Sequence, residues 1–329
     1  MATTMETDEW TIRAWEGVLL HVPRDWDIAA ISGDRNQGYM RLDDTDNMPR
    51  VEVKWQKASG FVNIEGVVDS YLKDLKKKKK KGEPDIQTNR DCAVVSKRQM
   101  RKTDLNCFAW EAEMEGRGAA WYCEDCERVM VIQVMTSPEE NGDEIARKVI
   151  GEMEDHPREG WIVWSTYGLQ MEVPERFELA NQQLMAGLIE LQFANRGEQI
   201  VGARWGMANV ALRNRDLEQW ATSEIRDYHK NIKLEFEEGT FRGHPAVKVS
   251  GYFSNPLKHI QSFVMHVAGR PYPEAVKGWV WHCENENRIY YAGALLDEDH
   301  MEIIERVANG VACPDPDEDG AADLEEPIR

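Results

Sequence analysis

A chain of 329 residues with a formal charge of −19 has room for two cores at the usual roughly 150 residues each. That acidity excludes a general nucleic-acid binder, because phosphate contact needs a basic face, and no apolar stretch reaches the roughly 18 residues that span a bilayer. Six cysteines are too few for a disulfide scaffold, so thiols in a reducing, cytoplasmic setting are expected.

Met1–Glu9 is polar and acidic, without the apolar region of a secretory signal, and reads as a disordered tail. The first ordered segment, Gly17–Trp26, is a strand halted by Pro23, with Trp26 placed to pack beneath the turn. It returns as Gly168–Phe177, with Pro174 and Phe177 in the same places. Gly38–Leu42 returns as Gly187–Leu191, and Val53–Trp55 as Ala203–Trp205. A nearly constant offset over three strands in one order marks an internal duplication.

A helix follows in each half. Asn63 caps the first, with Ile64, Val67, Val68, Tyr71, Leu72 and Leu75 along one face; Asp216 caps the second, ahead of Leu217, Trp220, Ala221, Ile225 and Tyr228. The lysine run Lys76–Lys81 ends the first helix and reads as a solvated, dipole-compatible terminus, with a patch for an acidic partner as the other reading. Strands resume at Cys92–Val95, Cys107–Trp110 and a hairpin around Trp121–Arg128, and in the second half at Ala246–Val249, Ser262–Val267 and the hairpin Trp281–Arg288. The two hairpins share Trp, Cys, Glu and Arg in identical relative places. Arg128 and Arg288 are expected to pair across the turn with Glu124 and Glu284.

Each half closes with a helix, the first starting at Ser137-Pro138-Glu139 and the second capped by Asp297, and then ends alike, His156-Pro157 and Cys313-Pro314. The expected organisation is a first repeat over 10–157, a linker over 158–163, a second repeat over 164–313 and a disordered acidic tail over 314–329. Three strands, a helix, three or four strands and a helix per repeat give an α+β fold: two tandem repeats, each an antiparallel sheet flanked by helices. The Val-Pro-x-x-Trp/Phe opening at Val22–Trp26 and Val173–Phe177, the Gly-x-x-x-Leu strand after it and the helix before a later run of strands resemble the PsbP-like fold, shared with the Mog-type Ran-GTPase binders. That resemblance implies a fold and a habit of binding other proteins. It carries over no catalytic residue.

Cys123-x-x-Cys126 is the spacing that carries chemistry, since a two-residue gap lets both thiolates reach one zinc or close a redox disulfide. Cys92, Cys107 and His156 are further ligand candidates in the first half, without a second paired knuckle. The second half has Glu286 where Cys126 stands, which favours reading the shared Cys123 and Cys283 as small buried hydrophobes. His259, His266 and His282 have no metal-ligand spacing, and Asp43–Asn47 reads as an acidic turn rather than a calcium loop. The second half alone carries an insertion from Tyr252 to Lys277, and its aromatic and basic residues Tyr252, Phe253, Arg270 and Tyr272 make a candidate partner surface. The expectation is a non-enzymatic protein-binding or scaffold protein without a cofactor, nucleic acid or membrane, against the alternative of a metal-binding or thiol-redox protein using Cys123 and Cys126.

Overall fold

The computed structural model describes residues 10–77, 85–90, 92–96, 98, 105–157, 159–229, 232–252, 273 and 275–313. The two tails, Lys78–Lys81, Ser262–Val267 and, of the insertion, Phe253, Arg270 and Tyr272 lie outside the described residues. The architecture is dominated by antiparallel sheet, with a few short helices. The chain divides into two compact units, residues 1–159 with 163–166, and residues 160–162 with 167–329. No helix among the described residues is long and apolar enough to cross a membrane.

The first unit opens with a hairpin, β1 (Trp10–Trp15) and β2 (Val18–Pro23), whose turn places Glu16 and Gly17 at φ 52° and 81°. Two positive φ values are what a tight two-residue hairpin demands, and glycine takes the second without strain. Next come β3 (Asp27–Gly33), β4 (Gln37–Asp43), β5 (Pro49–Lys57), helix α1 (Ile64–Lys77), β6 (Gln87–Asn89), β7 (Asn106–Glu111), β8 (Glu115–Cys123) and β9 (Arg128–Thr136), then helix α2 (Gly142–Gly151). Strands β3 to β9 form one seven-stranded antiparallel sheet in the order β3-β4-β5-β9-β8-β7-β6. Asn63 caps α1 as expected, its Oδ1 accepting from Gly66 N at 3.1 Å.

Two-residue alternation along β8 sorts its side chains between the faces. Ala120 and Tyr122 point to α1, where Ile64, Val68 and Leu72 pack with Phe108, Trp110 and Val131. Trp121 and Cys123 point the other way, toward the chain that follows α2. Burying a tryptophan and a cysteine on that face fixes the register of the hairpin, because a one-residue slip would turn both into the α1 side, where Ala120 and Tyr122 pack.

The chain continues through β10 (Trp161–Thr166), whose last four residues count with the first unit, and in the second unit β11 (Leu169–Pro174) leads into β12 (Glu178–Met185), β13 (Leu188–Asn195), β14 (Glu198–Gly206), the one-turn α3 (Ala208–Ala211) and α4 (Leu217–Glu224). After α4 come β15 (Lys233–Phe241), β16 (His244–Tyr252), β17 (Ala275–Cys283), β18 (Arg288–Leu296) and α5 (Ile303–Asn309). Its sheet order is β12-β13-β14-β18-β17-β16-β15, the same path through the sheet as in the first unit. Asp216 Oδ1 caps α4 through Gln219 N at 2.7 Å. Edge strand β15 holds Lys233, Glu235, Glu237 and Glu238 on its sequence, with Lys233 and Glu235 paired at 3.9 Å.

Several expectations need correction. Five strands precede the first helix of each half where three are expected, because β1 and β3 bury too few side chains to leave an alternating pattern. Cys92–Val95 is a bend rather than a strand, and its two buried residues, Val94 and Val95, show that the apolar run reports burial and not extended pairing. Helix α2 starts at Gly142 with Asn141 as its cap, while Ser137–Glu140 forms a turn in which Glu140 Oε2 accepts from Ser137 N at 2.7 Å. Asp297 caps a short 3-10 turn, Glu298–His300, that precedes α5.

Candidate metal centre

Cys123 ends β8 and faces Arg128, the first residue of β9, across the sheet. The four residues between them turn the chain, with Glu127 at φ 54°, and bring Cys126 back beside Cys123. The third component arrives from the end of α2. Leu19 and Glu154 exchange both backbone hydrogen bonds, at 2.9 and 3.0 Å, so β2 pins the segment after the helix against the hairpin. Asp155 and His156 then fall on Cys123 and Cys126. One ligand atom each from Cys123, Cys126 and His156 lies within 4.8 Å of the others.

The geometry suits a tetrahedral ion. Cys123 Sγ and His156 Nδ1 are 3.4 Å apart, close to the roughly 3.6 Å edge of a zinc tetrahedron with Zn–S about 2.3 Å and Zn–N about 2.0–2.1 Å. His156 Nδ1 also lies 2.7 Å from Asp155 Oδ1, a contact the imidazole would give up on binding an ion, and His156 Nε2 lies 3.5 Å from Asp125 Oδ2. A carboxylate on the far nitrogen is the usual outer partner of a metal-bound imidazole. Trp121 Nε1 donates to Asp155 Oδ2 at 2.6 Å, holding that buried carboxylate in place.

The two thiols are unequal. Cys126 is brought down to about 6 by the hydrogen bond from Cys123 and by the Arg128 guanidinium, whose Nε donates to its sulfur at 3.4 Å, against the opposing effect of burial. Cys123 is pushed well up by donating to Cys126, by burial and by the Asp155 carboxylate. The Cys123 thiol and the Arg128 guanidinium thus favour negative charge on Cys126, and metal binding would release the remaining thiol proton.

Arg128 does not meet Glu124. Its guanidinium is buried and donates to the carbonyls of Glu16 and Arg35, each at 3.2 Å, and to that of Asp155. Three convergent carbonyls outcompete an exposed carboxylate across a turn. Arg288 likewise bypasses Glu284 and takes Glu286 Oε2 at 3.1 Å. Glu286 stands at the place of Cys126, so that acid is committed to a polar pair.

Cys92 and Cys107 stay apart from this cluster, on the carbonyls of Asn89 and Val95 at 3.8 and 3.5 Å. Among the described residues all six cysteines are free thiols. Asp43–Asn47 is the expected acidic turn, with Asp44 Oδ1 accepting from Asp46 N and Met48 N at 2.9 Å each. Of the candidate partner surface only Tyr252 is described, and it is 58% exposed. The sequence did not reveal an open cleft of about 960 Å³ between α1 and the sheet, lined by Tyr39, Lys54, Trp55 and Tyr71 among others. There Lys54 Nζ lies over the rings of Tyr39 and Tyr71 at 5.9 and 5.1 Å.

No protein-family model matches the chain, and no curated protein matches it. Among solved structures the chain is similar to transferrin-binding protein B, isotype 1, of serogroup B Neisseria meningitidis, at 9% identity over 91% of this chain and 60% of that one, with a TM-score of 0.12. A likeness at that TM-score carries no argument about fold or function.

Proposed function

We propose that the chain is a non-enzymatic, metal-binding accessory protein, an internal duplication of a PsbP-like unit that holds a zinc-class ion at Cys123, Cys126 and His156. The observation that carries this reading is the convergence of three soft or borderline ligand atoms within 4.8 Å, drawn from a hairpin end, its turn and the segment after α2. Two thiolates and a neutral imidazole balance a divalent charge and suit zinc better than a hard cation. Three protein ligands leave a fourth place for water or a carboxylate. The third ligand also favours metal over thiol redox, since a disulfide would need the two cysteines alone. The duplication is supported by the identical order in which the chain visits its two sheets.

The test is metal analysis of the full chain purified without chelator, beside Cys126→Ser and His156→Ala. Each substitution should lower bound zinc by about one equivalent. Metal content that neither substitution changes would remove this site from consideration.

A protein partner is the companion reading, supported by Tyr252, a large aromatic left 58% exposed at the end of β16. Tyr252→Ser should leave the melting temperature unchanged and weaken capture of a partner retrieved by the intact chain by about tenfold. Equal capture by both would place recognition elsewhere.

A further inference from the structure

The second unit holds its own group of metal-type ligands. One ligand atom each from His244, Cys283 and Cys313 lies within 4.8 Å of the others, and all three residues are buried. Cys283 ends β17 opposite Arg288, as Cys123 ends β8 opposite Arg128. Cys313 follows the last helix and precedes a proline, the position of His156 in the first unit. The third member differs in origin. His244 enters from the hairpin between β15 and β16, whose turn residues Arg242 and Gly243 sit at φ 50° and 80°.

We propose that His244, Cys283 and Cys313 form a second soft-metal site, of the zinc class, built into the interior of the second unit. The bland reading is a pair of buried cysteines packed as small hydrophobes beside a histidine. Packing alone does not explain the composition. Both units gather two cysteines and one histidine at the same corner, yet the histidine occupies a different place in each, and the ligand lost where Glu286 replaces a cysteine is supplied by another strand. What is kept is the set of donor atoms.

The geometry agrees with a common ion. Cys313 Sγ and His244 Nε2 are 3.4 Å apart, the same separation as in the first unit and close to the roughly 3.6 Å edge of a zinc tetrahedron. Arg242 donates to the carbonyls of Val311 at 2.7 Å and Cys313 at 2.9 Å, and so holds the incoming segment with its sulfur against the hairpin. Charge also favours the assignment. Two thiolates and an imidazole around a divalent ion are neutral as a group, which a dry interior tolerates, whereas a bare dication or thiolate there would be costly. Since Cys126 and His156 are partly exposed while His244, Cys283 and Cys313 are all buried, the second ion should exchange far more slowly than the first.

The proposal applies the chemistry of the first centre to different residues, so the two can fail separately. The experiment is metal analysis and cobalt substitution on the full chain, comparing the natural sequence with Cys313→Ser, His244→Ala and Cys126→Ser. About two equivalents are expected for the natural sequence and about one for every variant, with the remaining ion after Cys126→Ser resisting chelator longest. His244→Cys should keep both equivalents and strengthen the sulfur-to-cobalt charge-transfer band, which a merely structural histidine would not do. One equivalent lost with Cys126→Ser and untouched by Cys313→Ser would overturn the second site and leave the first. One equivalent lost only with Cys313→Ser would do the reverse, and no metal in the natural protein would overturn both. Should the variants fail to fold, alkylation of the natural chain in urea below its unfolding transition decides. Zinc should cut labelling of Cys283 and Cys313 at least about fivefold relative to chelator, and equal labelling would overturn the proposal.

Discussion

Replacing Arg128 with methionine should destabilise the first unit by about 3 to 5 kcal/mol, read as a lower urea midpoint at unchanged slope. The side chain is buried and its guanidinium serves the carbonyls of Glu16, Arg35 and Asp155 together. Methionine fills much of the volume but donates nothing, so three acceptors lose a charged partner at once. Lysine should recover little, because a single ammonium lacks the planar fork that reaches carbonyls from separate segments. The same change loosens the turn of β1 and β2 and the segment that carries His156. A loss under about 1 kcal/mol would mean that water replaces the guanidinium and that Arg128 does not organise this corner.

Acid should unfold the second unit earlier than the first, through His229. Burial lowers this histidine from its ordinary value to about 4. Its Nε2 lies 3.0 Å from the hydroxyl of buried Tyr291, and its Nδ1 has no hydrogen-bond partner among the described residues. An imidazolium would need two acceptors where one oxygen is at hand. The unfolded chain takes up the proton near pH 6.5 and the folded one only near 4, so stability is intact above the first value and falls as pH drops between them. The loss over that window is about 3 kcal/mol. Urea titrations at neutral pH and near pH 4.5 measure it, and His229→Gln should flatten the difference. An equally steep acid loss in that variant would assign the sensitivity to carboxylates instead.

Much of the scaffold was legible because it rests on local signals. Pro23 and Pro174 end strands, Asn63 and Asp216 cap helices, and the acidic turn around Asp44 forms as its composition suggests. Strands β3 and β12 were not legible, since they lie at sheet edges and keep too few side chains buried for alternation to register. The candidate centre was half legible. Cys123 and Cys126 stand out by spacing, whereas His156 joins them only because Leu19 and Glu154 pair, a contact between segments far apart in the chain. His244, Cys283 and Cys313 come from three separate stretches and leave no local pattern. The one available signal was that both halves end in a ligand-type residue before proline.

The edge strand β15 bears on how any partner can attach. Its exposed row of Lys233, Glu235 and Glu237, with Glu238 on the other face, sets three carboxylates along the open rim of the second sheet. A foreign strand docking there by β-augmentation would have to desolvate that row, and a second copy would bring matching negative charge against it. The opposite rim, β12, carries Glu178 and the amides Asn181, Gln182 and Gln183, and in the first sheet the β6 rim is only three residues long. Backbone-to-backbone extension at the β15 rim is thereby discouraged, a local protection against fibrous self-association that leaves side-chain surfaces as the route for recognition there.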